Sequence, residues 1–152
     1  MYRFKTFRSE DWFWITNEKE IRSLCADVDK AINIVVDPWR RLFPFSVWPI
    51  VVSGGCHERD TGYEAFSGGE YPWRDGWVEK LVEDFNKEKN ELDGSWFNKL
   101  NFSDIIVIIF GRFGPIVLEF EDGEMAVTVC YDDKEEERNL LDRFAEAFER
   151  TE

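Results

Sequence analysis

The stretch from Ile116 to Val129 constrains the fold more than any other. Ile116, Leu118 and Phe120 alternate with Val117 and Glu119, Asp122-Gly123 follows, and Met125, Val127 and Val129 alternate again. A period of two puts alternate side chains on opposite faces of a strand, and Asp-Gly supplies the positive φ angles of a two-residue hairpin turn. The pair therefore reads as an antiparallel hairpin with one apolar face that another layer must cover. Just upstream, Asp104 to Phe110 is a nearly continuous run of Ile and Val. That pattern predicts a central strand buried on both faces, with helices on at least one side.

The remaining segments supply those helices. Ile21, Leu24, Cys25, Val28 and Ile32 fall on one stripe at helical spacing, while Glu18, Lys19, Arg22, Asp29 and Lys30 fill the opposite face. Asp37-Pro38 is expected to stop or restart that helix, because Asp caps well and proline suits a first helical position. A second helix, capped by Asp75, carries Trp77, Leu81 and Phe85 with Val78 and Val82 and gives way at Asp93-Gly94. A third begins at the acids Asp132 to Glu137, which complement the helix dipole, and turns Leu140, Leu141, Phe144 and Phe148 inward. Tyr2 to Phe7 and Phe45 to Ser53 read as strands, the latter with Pro49 as an oddity suited to an edge or a bulge. Gly54 to Pro72, with five glycines and no sustained period, reads as a long irregular loop. The order predicts a single acidic α+β domain over residues 1–152: a mainly antiparallel sheet of about five strands with three main helices packed on it.

Composition limits function. The set AVILMFWYC makes up 43% of the chain, including 7 Trp, 14 Phe and 4 Tyr, which is enough to fill a core. Against 19 basic residues stand 32 acids, a formal net charge of −13. A surface this negative repels phosphate backbones and anionic lipid, so direct nucleic-acid and membrane-surface binding are disfavoured. No apolar run approaches the ~20 residues that span a bilayer, and the charge-interrupted start carries no export signal of standard form. Cys25, Cys56 and Cys130 are odd in number and far apart, which fits reduced thiols in a cytoplasm better than a disulfide framework.

Chemistry is hard to find. Phosphate-binding glycine loops, Gly-x-Ser-x-Gly and His-Glu-x-x-His are all missing from the sequence, so no cofactor is implied. Zinc held by the three thiols and His57 would lack any pre-arranged ligand pair. Cys56-His57 is a poor nucleophile and base, because side chains adjacent in sequence usually diverge. Trp12, Phe13 and Trp14 are consecutive, so they cannot all face one core.

Two features remain. Glu58, Asp60, Tyr63, Glu64, Phe66, Glu70, Tyr71 and Trp73 mix carboxylates with rigid rings in the central segment, a combination suited to anchoring a partner or to covering the sheet edge beneath. From Leu118 to Glu152 thirteen acids face four bases, which accounts for −9 of the total charge. A solvated helix face explains part of that excess, and electrostatic steering of a cationic protein is the alternative. With its Asp132-Asp133-Lys134-Glu135-Glu136-Glu137 run and its acid-plus-aromatic segment from Glu58 to Trp73, the chain resembles in layout the cytoplasmic immunity proteins of bacterial contact-dependent growth-inhibition and related toxin systems. That resemblance implies a non-enzymatic protein that binds a cognate toxin domain, commonly a basic nuclease, and blocks its active site. The contact expected from the residues is made by Glu58, Asp60, Tyr63, Glu64, Glu70, Tyr71 and Trp73. Two other readings stay open: a small hydrolase or nuclease using carboxylates with Mg²⁺, and a phosphate mimic that occupies a nucleic-acid-binding protein.

Overall fold

The computed structural model describes residues 1–6, 18–42, 50–58, 64–91, 100–121 and 123–151. Within them the chain runs β1 (Tyr2–Lys5), α1 (Glu18–Leu42), β2 (Ile50–Glu58), β3 (Glu64–Pro72), α2 (Trp77–Glu91), β4 (Leu100–Gly111), β5 (Gly114–Glu121), β6 (Glu124–Val129) and α3 (Lys134–Ala147). The strands form one antiparallel sheet in the order β1-β6-β5-β4-β2-β3, so the α+β layout stands with six strands instead of about five. None of the described helices is long and apolar enough to cross a membrane.

The sheet buries one face. Ile105, Val107 and Ile109 of β4 lie opposite Phe120, Leu118 and Ile116 of β5, and all six are fully buried. Against them packs the apolar stripe of α1, from Ile21 and Cys25 through Val28 and Ile32 to Val36, joined by Leu81 and Phe85 of α2 and Leu140 and Phe144 of α3. At 25 residues α1 extends about 37 Å, long enough to carry the chain from the β1 edge across the sheet to β2.

The expected break at Asp37-Pro38 does not occur: α1 continues to Leu42 with Pro38 inside it. Proline in a helix interior sacrifices a backbone hydrogen bond, worth ~3 kcal/mol or more with its steric clash. Trp39, one turn past Val35 and Val36, is 5% exposed, and its burial holds the final turn in place. At α2 the residue preceding the helix is Gly76, with φ +88°, so the cap position belongs to it and not to Asp75. The acidic start of α3 behaves as expected, since the Asp133 carboxylate accepts from the Glu135 and Glu136 amides at 3.0 and 3.2 Å.

Two strand expectations need correction. Most of the segment read as an irregular loop from Gly54 to Pro72 is the β2–β3 hairpin, with irregular register around Gly54 to His57. Its glycines lack the side chains that would show alternation, and pairing with β4 on one side and β3 on the other supplies the order that local pattern did not. Of the strand expected over Phe45 to Ser53, Ile50 to Ser53 are present in β2, and residues 45–49, Pro49 included, lie outside the described residues. Finally, the Ile and Val run of β4 is not buried on both faces: Ile108 is 42% and Phe110 61% exposed. The expected Ile116 to Val129 hairpin is present as β5 and β6, with Gly123 at φ +77°.

The two sheet edges differ. Beyond β1, the chain after α3 adds a short pairing: the Lys5 amide donates to the Glu149 carbonyl at 2.8 Å and the Thr151 amide to the Arg3 carbonyl at 2.9 Å. The β3 edge has no strand partner beyond β2 among the described residues.

Candidate protein-interaction surface

The residues singled out from the sequence separate in three dimensions. Asp60 and Tyr63 lie outside the described residues. Glu58 ends β2 and Glu64 opens β3, so both sit at the far end of the hairpin, where Glu64 is registered with His57. Glu70 is exposed and lies opposite Ser53, on the face that carries none of the described helices, here the helix-free face. Tyr71, the next residue, points the other way. It is 2% exposed and its hydroxyl donates to Asp84 of α2 at 2.6 Å. Tyr71 is therefore a core residue, not a partner-facing ring, because successive strand residues take opposite faces.

Trp73 also belongs to the helix side. Its indole Nε1–H and that of Trp77 both donate to Asp29 Oδ1, each at 2.9 Å. The Arg40 guanidinium stands 5.0 Å from the Trp73 ring centroid and donates to Asn33 Oδ1 at 3.1 Å. These side chains line a cleft of about 650 Å³ between α1 and the start of α2. The cleft mixes Asp29, Asp75 and Glu79 with Arg40 and Arg74, so it presents no dominant charge. Asp29 fixes the β3–α2 corner against α1, and a buried indole N–H needs such an acceptor.

The helix-free face offers a different surface. Register across all six strands aligns Arg3, Ala126, Glu119, Ile106, Ser53 and Glu70 in one row. The neighbouring row toward the β4–β5 turn reads Thr128, Val117, Ile108, Val51 and Pro72, and beyond it Phe110 lies opposite Pro115. On the other side of the first row, Glu121 lies opposite Glu124, next to Lys5. One end of the face is thus apolar and the other acidic. Val51, Ile108 and Phe110 are exposed, as are Glu70, Glu119 and Glu121. Arg3 approaches Glu124 at 3.6 Å, and Lys5 approaches Glu149 at 3.7 Å.

The apolar end escaped the sequence reading because an unbroken Ile/Val run looks the same whether one face or both are covered. The signal that could have exposed it lies in the partner strand. Glu119 and Glu121 alternate with Leu118 and Phe120 on β5, and a strand paired to it must share that open face.

Other charged groups serve the fold. Arg22 bridges α1 and α2 by a bidentate pair with Glu79 at 2.6 and 2.9 Å, and that hydrogen bonding holds the Glu79 carboxyl below the usual range. Burial, reinforced by Asp29, pushes the Cys25 thiol up to about 12, and burial likewise raises the Tyr131 phenol. Part of the acidic run at α3 is also structural: Asp133 caps the helix and Glu137 pairs with Lys134 at 3.2 Å. Among the described residues, no group of three or more His, Cys, Asp or Glu side chains is placed to hold a metal ion. Compared with known proteins, the chain matches no family model, no curated protein and no solved structure.

Proposed function

We propose that the protein is an immunity-type inhibitor, which binds a cationic toxin domain in the cytoplasm and blocks access to its active site. The observation that carries this reading is where the acid excess stands. Glu70 and Glu119 on the sheet, and Asp132 and Glu135 at α3, are exposed on two separate parts of the surface, in a chain of net charge −13. Some acids cap helices or bridge them, as Asp133 and Glu79 do, but among the described residues these exposed carboxylates neither cap nor bridge a helix. A potential of this sign speeds encounter with a basic partner, toward ~10⁸–10⁹ M⁻¹s⁻¹ at low salt, and carboxylates set against an Arg/Lys-lined cleft replace the phosphates it would otherwise bind.

The test pairs the chain with the toxin domain encoded beside its gene. Co-expression should restore growth to cells making that toxin, and the purified proteins should form a complex whose association rate falls steeply between 50 and 500 mM salt, as screening predicts. A gene neighbourhood without a toxin domain, or an encoded toxin that kills equally in the presence of this protein, would refute the proposal. Turnover of nucleic acid or another substrate by the purified protein alone would replace it with the carboxylate-hydrolase reading.

A further inference from the structure

We infer that the helix-free face of the sheet is the docking surface, and that its occupant is a folded domain with an apolar contact centre bordered by lysine and arginine. This deepens the reading above and rests on it. The argument starts from exposure: Phe110 at 61%, Ile108 at 42% and Val51 at 38% are, apart from Met1, the large apolar side chains left in solvent among the described residues, and all three lie on this one face. With strands ~4.8 Å apart, the row from Thr128 to Pro72 spans about 19 Å across the sheet. A patch of that width is the size of an interface core, and a stable interface of ~800 Å² per partner also needs the surrounding rim.

The rim identifies the occupant. In the row next to the apolar ones stand the exposed carboxylates Glu70 and Glu119. A basic border on the partner would meet these carboxylates while its apolar centre covers Ile108 and Phe110. A second copy of this chain fits poorly, because each copy carries −13 and would set its own Glu119 and Glu121 close to those of its mate.

Substitutions at exposed positions leave the core untouched, so Phe110→Asp and Ile108→Asp should fold and melt like the unmodified protein. Calorimetric and kinetic titration against the purified neighbour-encoded toxin domain should show at least tenfold weaker binding for each, through faster dissociation. Glu119→Gln with Glu121→Gln should instead slow association and flatten its salt dependence. A hairpin-end control, Glu58→Gln with Glu64→Gln, should bind within twofold of the unmodified protein. If the toxin domain binds the Phe110→Asp and Ile108→Asp proteins at full strength, or only the hairpin-end variant loses affinity, the docking face is misassigned while the inhibitor reading survives. A toxin domain that fails to bind the unmodified protein removes both. Sedimentation of the free protein supplies the last arm: a dimer that Phe110→Asp converts to monomer would show that a second copy occupies the face, and would overturn the inference.

Discussion

Replacing Asp29 tests how the β3–α2 corner is held. One carboxylate oxygen accepts two indole N–H groups at 2.9 Å, from Trp73 and from Trp77. Trp77 is 6% exposed, so in Asp29→Ala its freed donor stays largely out of reach of water and carries the ~1–3 kcal/mol penalty of an unsatisfied buried group. Trp73 is half-buried and can rehydrate, which leaves mainly the loss of a charge-assisted bond. Together the change should destabilise the fold by about 2–4 kcal/mol, a large share of the ~5–15 kcal/mol that holds a typical domain together. Asp29→Asn keeps a carbonyl acceptor at the same position and should lose only ~1 kcal/mol. Urea unfolding followed by far-ultraviolet circular dichroism reads the difference directly. With a slope of ~2 kcal/mol/M, the alanine variant's midpoint should fall by about 1–2 M and the asparagine variant's by about 0.5 M. An alanine variant within 0.2 M of the unmodified protein, or an asparagine variant equally damaged, would refute the double-acceptor account.

Three further outcomes follow from the packing. Burial raises the Cys25 thiol from its ordinary 9.0 to about 12, so the folded state holds that proton longer than the unfolded chain. The stabilisation is complete below pH 9 and is lost as pH climbs toward 12, with a slope approaching ~1.4 kcal/mol per pH unit that Tyr131 reinforces at the alkaline end. Denaturation midpoints measured from pH 7 to 11 should stay flat and then fall; a midpoint unchanged to pH 11 would contradict the burial of Cys25. A β-carbon on Gly111 would land on the Trp39 ring, so Gly111→Ala should destabilise by ~1–3 kcal/mol, and Trp39→Phe in the same chain should recover part of that loss. Asp133→Ala should lower stability by ~1 kcal/mol through loss of the α3 cap, while Asp132→Ala, one residue outside it, should stay within ~0.5 kcal/mol. Equal effects at the two aspartates in thermal melts would mean that general charge, not capping, governs the helix start.

Where pattern and environment agree, the elements were legible in advance. The stripe from Ile21 to Ile32 could be only a helix face, and the Asp122-Gly123 turn left Ile116 to Val129 little choice but a hairpin. The candidate surface was far less legible. Glu70 and Tyr71 are neighbours in sequence and read as one recognition element, yet the strand sends them to opposite sides of the sheet, one to solvent and one to Asp84. Trp73, read as an anchor for a partner, is tied to Asp29, a residue 44 positions away that no local rule connects to it.

Local sequence determined the periodicities, the Asp133 cap and the charge sign, because each depends on residues within about one turn of helix or one hairpin. The tertiary structure alone decided which faces those elements cover. Pro38 remains helical because Trp39 is buried beyond it, and the glycine-rich segment becomes strand because β4 lies beside it. The three described helices pack on one side of the sheet, and the Ile108 and Phe110 side chains stay exposed on the other. Burial is a property of what packs opposite a residue, and partners distant in sequence make that choice.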